Sequence, residues 1–197
     1  ALAASAFVKL LAAVRRAAAR LPGPTWTRPA LGGLALGGLA VVVFVTIPGW
    51  LEVPAAHVAT LGGGYGSGQL AITGDPALGV GSAAALALVA IAAIRALATA
   101  LTIGTGGSAG DFAPSLAIGA ALGGAVGHAA SAWFGVDGVA PGAFALVGMA
   151  AFYGGAANVP LAATIMVCEM AGSYDLLVPL MLAQGVAFVA LRRVALY

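Results

Sequence analysis

The residues whose types and spacing best suit chemistry lie between Gly104 and Gly127, in the run GTGGSAGDFAPSLAIGAALGGAVG. A long apolar segment breaks into glycine there, and a second apolar segment begins after Asp111. The first backbone N–H groups of a helix have no carbonyl partner within the helix, and together with the helix dipole they attract an anion. At membrane depth such backbone is tolerated only where it is packed in protein or lines a wet cavity. The break therefore predicts a binding or transport site for a small anion.

Composition places these segments in a membrane. Hydrophobic residues make up 62% of the 197 residues, charged residues 7%, and the mean hydropathy is +1.08, whereas about a quarter of the residues of a soluble domain are charged. The 30 glycines suit close helix contacts in lipid. The single cysteine, Cys168, excludes an intrachain disulfide and a multi-cysteine metal site. The net charge of +2 is too small to indicate nucleic-acid binding, and no cofactor is expected.

The apolar segments predict an all-α chain. Ser82 to Ile103 is the longest apolar run and predicts a spanning helix, and Ala30 to Ile47 predicts most of another, ended by Pro48. Phe7 to Leu21 predicts the end of a helix that leads into a basic, cytoplasm-facing loop. Three prolines are expected to stop that helix: Pro22, Pro24 and Pro29. Gly49 to Gly81 predicts loop with one or two short helices.

The segments after the glycine break are interrupted and short. Phe112 to His128, Val139 to Gly155 and Pro160 to Gly172 each fall below the roughly 20 residues needed to cross a bilayer. Broken hydrophobic segments of this kind indicate a site near the membrane midplane, built from the ends of half-helices. Leu176 to Leu191 predicts a last helix, which a basic pair closes on the cytoplasmic side.

Gly110, Phe112 and Pro114 form a Gly-x-Phe-x-Pro pattern, and the run around them resembles the same region of the CLC family of chloride channels and proton-coupled chloride exchangers. Three further stretches resemble that family in the right order: RPALGGLALGGL at 28–39, the glycine-tyrosine cluster at 62–65, and PLAATIMVCEMAGSYDLLVPLM at 160–181. The resemblance implies that residues 1–197 are the second, C-terminal repeat of an inverted-repeat helical domain. It further implies a homodimer with one ion path per subunit, in which 160–191 contributes to the interface.

The resemblance also implies the site. The anion would be held by the backbone amides of Asp111 and Phe112, with Ala113 nearby, and by the hydroxyl of Tyr197. The family's serine ligand, gating glutamate and proton-path glutamate belong to the first repeat, so none has a counterpart here. Asp111 stands where the family usually has an aliphatic residue. A carboxylate beside an anion would repel it, so we expect its side chain to turn away or to cap its helix, and Asp111→Asn to keep transport.

Other conspicuous residues have structural alternatives. Arg95 lies within the longest apolar helix, where an ionisable residue is costly; two roles stay open, raising the local potential for anions from the inner face or pairing with a carboxylate. Glu169 is interpreted as structural, bonding to helix ends or loops, in preference to a proton relay. Glycines at every fourth position predict a close-packing face: Gly119, Gly123 and Gly127. Two histidines without nearby carboxylates or cysteines predict no metal site.

The sequence thus favours a multi-pass protein of the cell membrane, the bacterial inner membrane in particular, that moves chloride or a related monovalent anion, with exchange for protons preferred. A passive anion or fluoride channel of the same family is one alternative. An unrelated inverted-repeat transporter of an anionic metabolite is a second, and a membrane scaffold without transport is a third. No nucleophile, base and orienting group recur together, and no phosphate-binding lysine follows the glycines, so an enzyme is not expected.

Overall fold

A computed structural model describes residues 1–22, 24, 26–51, 65–74, 78, 81–134 and 140–191. Over those ranges the chain forms helices and no strand, which confirms the predicted all-α class. The helices are α1 (Leu2–Ala19), α2 (Thr27–Leu51), α3 (Tyr65–Thr73), α4 (Ser82–Gly104), α5 (Phe112–Phe134), α6 (Pro141–Ala156), α7 (Pro160–Ala171) and α8 (Leu177–Leu191).

Within the described ranges, three helices are long and apolar enough to cross a membrane. They contribute the segments Thr27–Thr46 of α2, Ser82–Gly104 of α4 and Phe112–Trp133 of α5. α6, α7 and α8 are apolar but shorter, between 12 and 16 residues, which agrees with the predicted mixture of spanning and short helices. Many large apolar side chains on α2 and α8 are exposed, as expected for faces that meet lipid or another membrane segment.

Two predicted helical segments have the wrong bounds. The segment after the glycine break continues beyond His128 to Phe134 and is long enough to span, because the alanine-rich residues that follow the histidine favour helix. α2 continues through Pro48 to Leu51 and already includes Pro29 in its first turn. A proline removes one helical N–H donor but keeps a helical φ, so it shortens neither end of α2.

α5 is the central helix and packs against α3, α4 and α6. The predicted close-packing face is confirmed on the side towards α6. A Cβ built on Gly119 would lie 2.6 Å from the carbonyl oxygen of Gly148, and one built on Gly123 would collide with the carbonyl oxygen of Phe144. A Cβ built on Gly127 would lie 3.0 Å from the Cα of Pro141. The glycines therefore let two backbones approach directly, without a chemical role.

A buried glutamine joins α8 to α6. The side chain of Gln184 is 2% exposed and fits the notch left by Gly154. Its Nε2 donates a hydrogen bond of 2.5 Å to the carbonyl oxygen of Ala150. This bond links two helices in a part of the protein where apolar contacts alone give little specificity.

Candidate anion-binding site at the start of α5

The glycine break ends α4 by specific backbone bonds. The amide of Gly106 donates to the carbonyl of Ile103 at 3.1 Å, and that of Gly107 donates to Thr102 at 2.9 Å. Gly106 has a φ of +93°, which a residue with a side chain rarely adopts. A Cβ on Gly107 would lie 2.7 Å from the Thr102 oxygen. These two glycines are therefore needed to turn the chain out of α4.

α5 then begins within a few residues. Its first intrahelical bond runs from the amide of Ser115 to the carbonyl of Asp111, at 3.0 Å. Phe112, Ala113 and Pro114 form the first turn. The amides of a first turn have no carbonyl acceptor within their own helix, and proline is tolerated there because it lacks only a donor that the helix does not use. Gly110, just before the turn, is exposed.

A cavity of about 540 Å³ adjoins this helix start. Phe112 and Ala113 line it, together with Leu116 and Ala117 one turn further along α5. The other walls come from α3, α6 and α7 and consist of Gly68, Gln69, Ile72, Leu146, Met149, Met166, Met170 and Ala171. The start of α5 thus borders a half-open cavity between α3, α5, α6 and α7, and the walls are mainly apolar.

The ring of Phe112 is held in place by α6. It meets the ring of Tyr153 edge-on, with centroids 5.0 Å apart and planes at 81°, a favourable geometry for an aromatic pair. Phe112 is partly buried and lines the cavity, so its ring forms part of the apolar wall. The pair also fixes the first turn of α5 relative to α6.

Of the two remaining predicted residues, the structure describes one. Tyr197 lies outside the described residues. Arg95 lies in the middle of α4, is 3% exposed, and is not among the residues that line the cavity. Its backbone carbonyl accepts a hydrogen bond from the Thr99 hydroxyl at 2.8 Å. Its head group is therefore inside the bundle, and its electrostatic role stays a prediction.

Glu169 has the structural role that the sequence indicates. The hydroxyl of Tyr174, in the loop after α7, donates a hydrogen bond to the Glu169 carboxylate. This hydrogen bond and the negative charge of Glu169 raise the pKa of the Tyr174 hydroxyl above its ordinary value. The next acid, Asp175, accepts from the Ser173 hydroxyl at 2.8 Å. Glu169 thus ties the end of α7 to its following loop.

The cavity contains residues that sequence reasoning did not single out. Gln69 supplies an amide to a wall otherwise built from apolar groups, and Met149, Met166 and Met170 line the same space. The sequence signal for Gln69 is a glutamine within a short, otherwise apolar segment. Ser115, one position after the first turn of α5, is fully buried, and its hydroxyl has no hydrogen-bond partner among the described residues.

Metal binding finds no support in the described part of the chain. No group of three histidine, cysteine or acidic side chains is close enough there to hold an ion. His57 lies outside that part. The Nε2 of His128 is buried in the described fold without a hydrogen-bond partner in it.

The fold and the site define a class: a multi-pass helical membrane protein with a helix that starts at a cavity between its helices. Comparison with known proteins specifies it further. Residues 1–192 match the family described as "Voltage gated chloride channel". The chain belongs to this family, which confirms the resemblance and agrees with the expectation that it is not an enzyme. An unrelated inverted-repeat transporter is thereby ruled out.

Curated relatives are similar over most of this chain. They are named H(+)/Cl(-) exchange transporter ClcA. The protein of Cronobacter sakazakii is 31% identical over 89% of this chain and 34% of its own length. The protein of Yersinia pestis is 30% identical over 82% of this chain and 30% of its own length. The protein of Citrobacter koseri is 34% identical over 77% of this chain and 28% of its own length. The chain spans about a third of the length of these relatives.

Proposed function

We propose that this chain forms part of a transporter that moves chloride or a related monovalent anion, and that the start of α5 binds the anion. The amides of Phe112 and Ala113 supply donors at the first turn. The family resemblance implies the amides of Asp111 and Phe112, with Ala113 nearby, and the hydroxyl of Tyr197 as a further ligand. A phenol suits this task because it is a neutral donor that does not trap the ion by full charge.

One observation carries the proposal: the first turn of α5 borders a half-open cavity of about 540 Å³. The helix dipole and the amides of that turn favour an anion at this end. The walls are mainly apolar, so few other polar groups compete with the amides for the ion. Because few donors converge there and no cation lines the cavity in the described fold, the ion would be held weakly enough to leave again.

Exchange for protons is the preferred form of transport. The curated relatives carry that activity in their names, and the chain matches them over most of its length. A passive channel, or fluoride in place of chloride, is the alternative within the same family. Coupled proton movement in vesicles distinguishes exchange from a channel, since only exchange drives protons uphill when a chloride gradient is applied.

We further propose that residues 1–197 form the second repeat of the membrane domain, in a homodimer in the cell membrane of a bacterium. α7 and α8 are the expected contact helices. They carry exposed apolar side chains, among them Leu161, Ile165, Val178, Leu182 and Val186, which need a lipid or protein neighbour in a membrane. Cross-linking of single cysteines at these positions tests the contact.

The site itself is tested by two substitutions at one residue. Phe112→Pro removes the amide donor at the first position of α5, where proline is well accepted, and it favours the extended backbone that a residue before a helix adopts. Phe112→Leu removes the ring and keeps the amide. A hydrogen bond to a charged group contributes about 1.5–3 kcal/mol, so Phe112→Pro should reduce chloride flux at low chloride roughly tenfold or more.

The measurement is chloride efflux from vesicles that contain the full-length protein. Phe112→Leu is the matched control and should keep most of the flux, since only apolar wall is lost. Equal flux in the two variants would refute the proposed amide donor. Size-exclusion profiles and melting temperatures of both variants show that a loss of flux does not come from misfolding.

A further inference from the structure

The basic residues of the chain are concentrated at one corner of the fold. Five of the eight lysines and arginines, and none of the six acids, occur in the first 28 residues: Lys9, Arg15, Arg16, Arg20 and Arg28. α1 buries one face, with Phe7 and Leu11 among its contacts. Arg15, Arg16 and Arg20 lie on the exposed part of its last turns and just after its end. The proposed transport function makes no use of this corner.

Two hydrogen bonds connect the residues on either side of the corner where α1 meets α2. The Arg28 side chain, from the first turn of α2, donates through an Nη atom to the carbonyl of Ala19, at 3.4 Å. The Thr27 hydroxyl donates to the Pro24 carbonyl at 2.7 Å. The first bond brings the guanidinium group of Arg28 to the end of α1, close in sequence to Arg16 and Arg20.

Helix capping explains only part of this charge. Arg16 donates from Nε to the carbonyl of Ala12 at 3.1 Å, and cations near a helix C-terminus are favourable. Each guanidinium has five N–H donors, however, and only one hydrogen bond is found for Arg16 and for Arg28 in the described fold. Over the same described ranges no carboxylate forms an ion pair with these arginines. The cluster keeps most of its donors for a ligand.

The position of the corner points to a ligand in the membrane surface. The candidate span of α2 begins at Thr27, so the residues just before it lie at the level of the lipid headgroups. Trp26 is 68% exposed there, and exposed tryptophans are typical of that level. Clusters of four or more basic residues beside a membrane helix bind anionic headgroups. Arginine matches the phosphate with paired N–H donors.

We propose that the corner formed by Arg15, Arg16, Arg20 and Arg28 binds the phosphate of an anionic phospholipid headgroup. The lipid would attach the α1–α2 corner to the membrane surface on the basic side of the protein. This site is separate from the start of α5, and its test does not depend on transport.

The experiment compares the lipids retained by the full-length protein. Protein in mixed micelles with equal phosphatidylglycerol and phosphatidylcholine is analysed by native mass spectrometry. The wild type should retain phosphatidylglycerol preferentially. Arg16→Gln/Arg20→Gln should lower that preference by about fivefold for each arginine removed. Arg16→Lys/Arg20→Lys should keep a part of it, since the charge remains and the paired donors are lost.

The matched control is Arg192→Gln/Arg193→Gln, which removes the same charge at the other end of the chain. It should keep the full preference. Equal loss in both glutamine pairs, or no preference in the wild type, would overturn the proposal. Inorganic phosphate is tested in micelles of phosphatidylcholine alone. If it binds there, and if millimolar phosphate also displaces phosphatidylglycerol from the protein in the mixed micelles, the corner takes soluble phosphate and the lipid assignment is wrong.

Discussion

The backbone carbonyl of Asp111 accepts the first hydrogen bond of α5. Its carboxyl group therefore lies at the start of that helix. A charged carboxylate about 4 Å from an anion would cost on the order of 4 kcal/mol at an effective dielectric of 20. Asparagine caps a helix about as well as aspartate does. At the scale of single residues, the orientation of this one side chain therefore decides whether the neighbouring amides can hold an ion.

We predict that Asp111→Asn keeps anion flux within about threefold of the wild type, because the backbone donors and the helix start are unchanged. Chloride efflux from vesicles measures this. A complete loss of flux would show that the carboxylate itself is required. A large gain in anion affinity would show that it faces the ion.

The hydrogen bond between Tyr174 and Glu169 predicts that the stability of the fold depends on pH in the alkaline range. The Tyr174 hydroxyl has a higher pKa in the folded protein than in the unfolded chain. Its contribution to stability is thus fully present below the unfolded value of about 10 and is lost as pH rises through the folded-state pKa. We expect Glu169→Ala to return the pKa of Tyr174 towards its ordinary value. Ultraviolet titration of tyrosinate, with Tyr174→Phe subtracted, isolates this group; an unchanged midpoint in Glu169→Ala would contradict the hydrogen bond.

At the scale of helices, the contact between α5 and α6 depends on missing side chains. A Cβ at Gly123 would collide with the carbonyl of Phe144, and one at Gly148 with the carbonyl of Gly119. Since backbone cannot swing aside as a flexible side chain can, the helices would have to separate. The Phe112–Tyr153 ring pair would move with them, so this packing also positions the start of α5.

We predict that Gly123→Ala destabilises the protein by about 1–3 kcal/mol, the usual effect of overpacking. Gly37→Ala in α2 is the matched control, because a Cβ there meets nothing within 4 Å. It should be neutral or stabilising by about 0.5–1 kcal/mol, as alanine favours helix over glycine. Melting temperatures in detergent compare the two. Equal melting temperatures would show that the close approach is not required.

At the scale of the whole molecule, local signals predicted most helices and few of the contacts between them. α4, α7 and α8 begin and end within one residue of their predicted limits, because glycine or proline bounds the first two and charged residues flank the third. The extension of α5 past His128 has no local signal, since a polar residue in an apolar run resembles the edge of a segment. The continuation of α2 through Pro48 has none either, because proline more often ends a helix than continues it.

The site was predictable only in part, for a physical reason. The helix start at Asp111 follows from the glycine break and the local pattern. The cavity beside it depends on walls from α3, α6 and α7, and contacts between distant segments leave no periodic signal in one sequence. The whole ion path would need the two thirds of the relatives' length that this chain does not match.

The most direct test of the anion site is crystallographic. Crystals of the full-length protein soaked in bromide reveal the halide by its anomalous scattering. We predict a bromide peak in hydrogen-bonding contact with the amide nitrogens of Phe112 and Ala113, which is absent in Phe112→Pro and present in Phe112→Leu. Halide sites elsewhere in the membrane region, with no peak at the start of α5 in the wild type, would contradict the account.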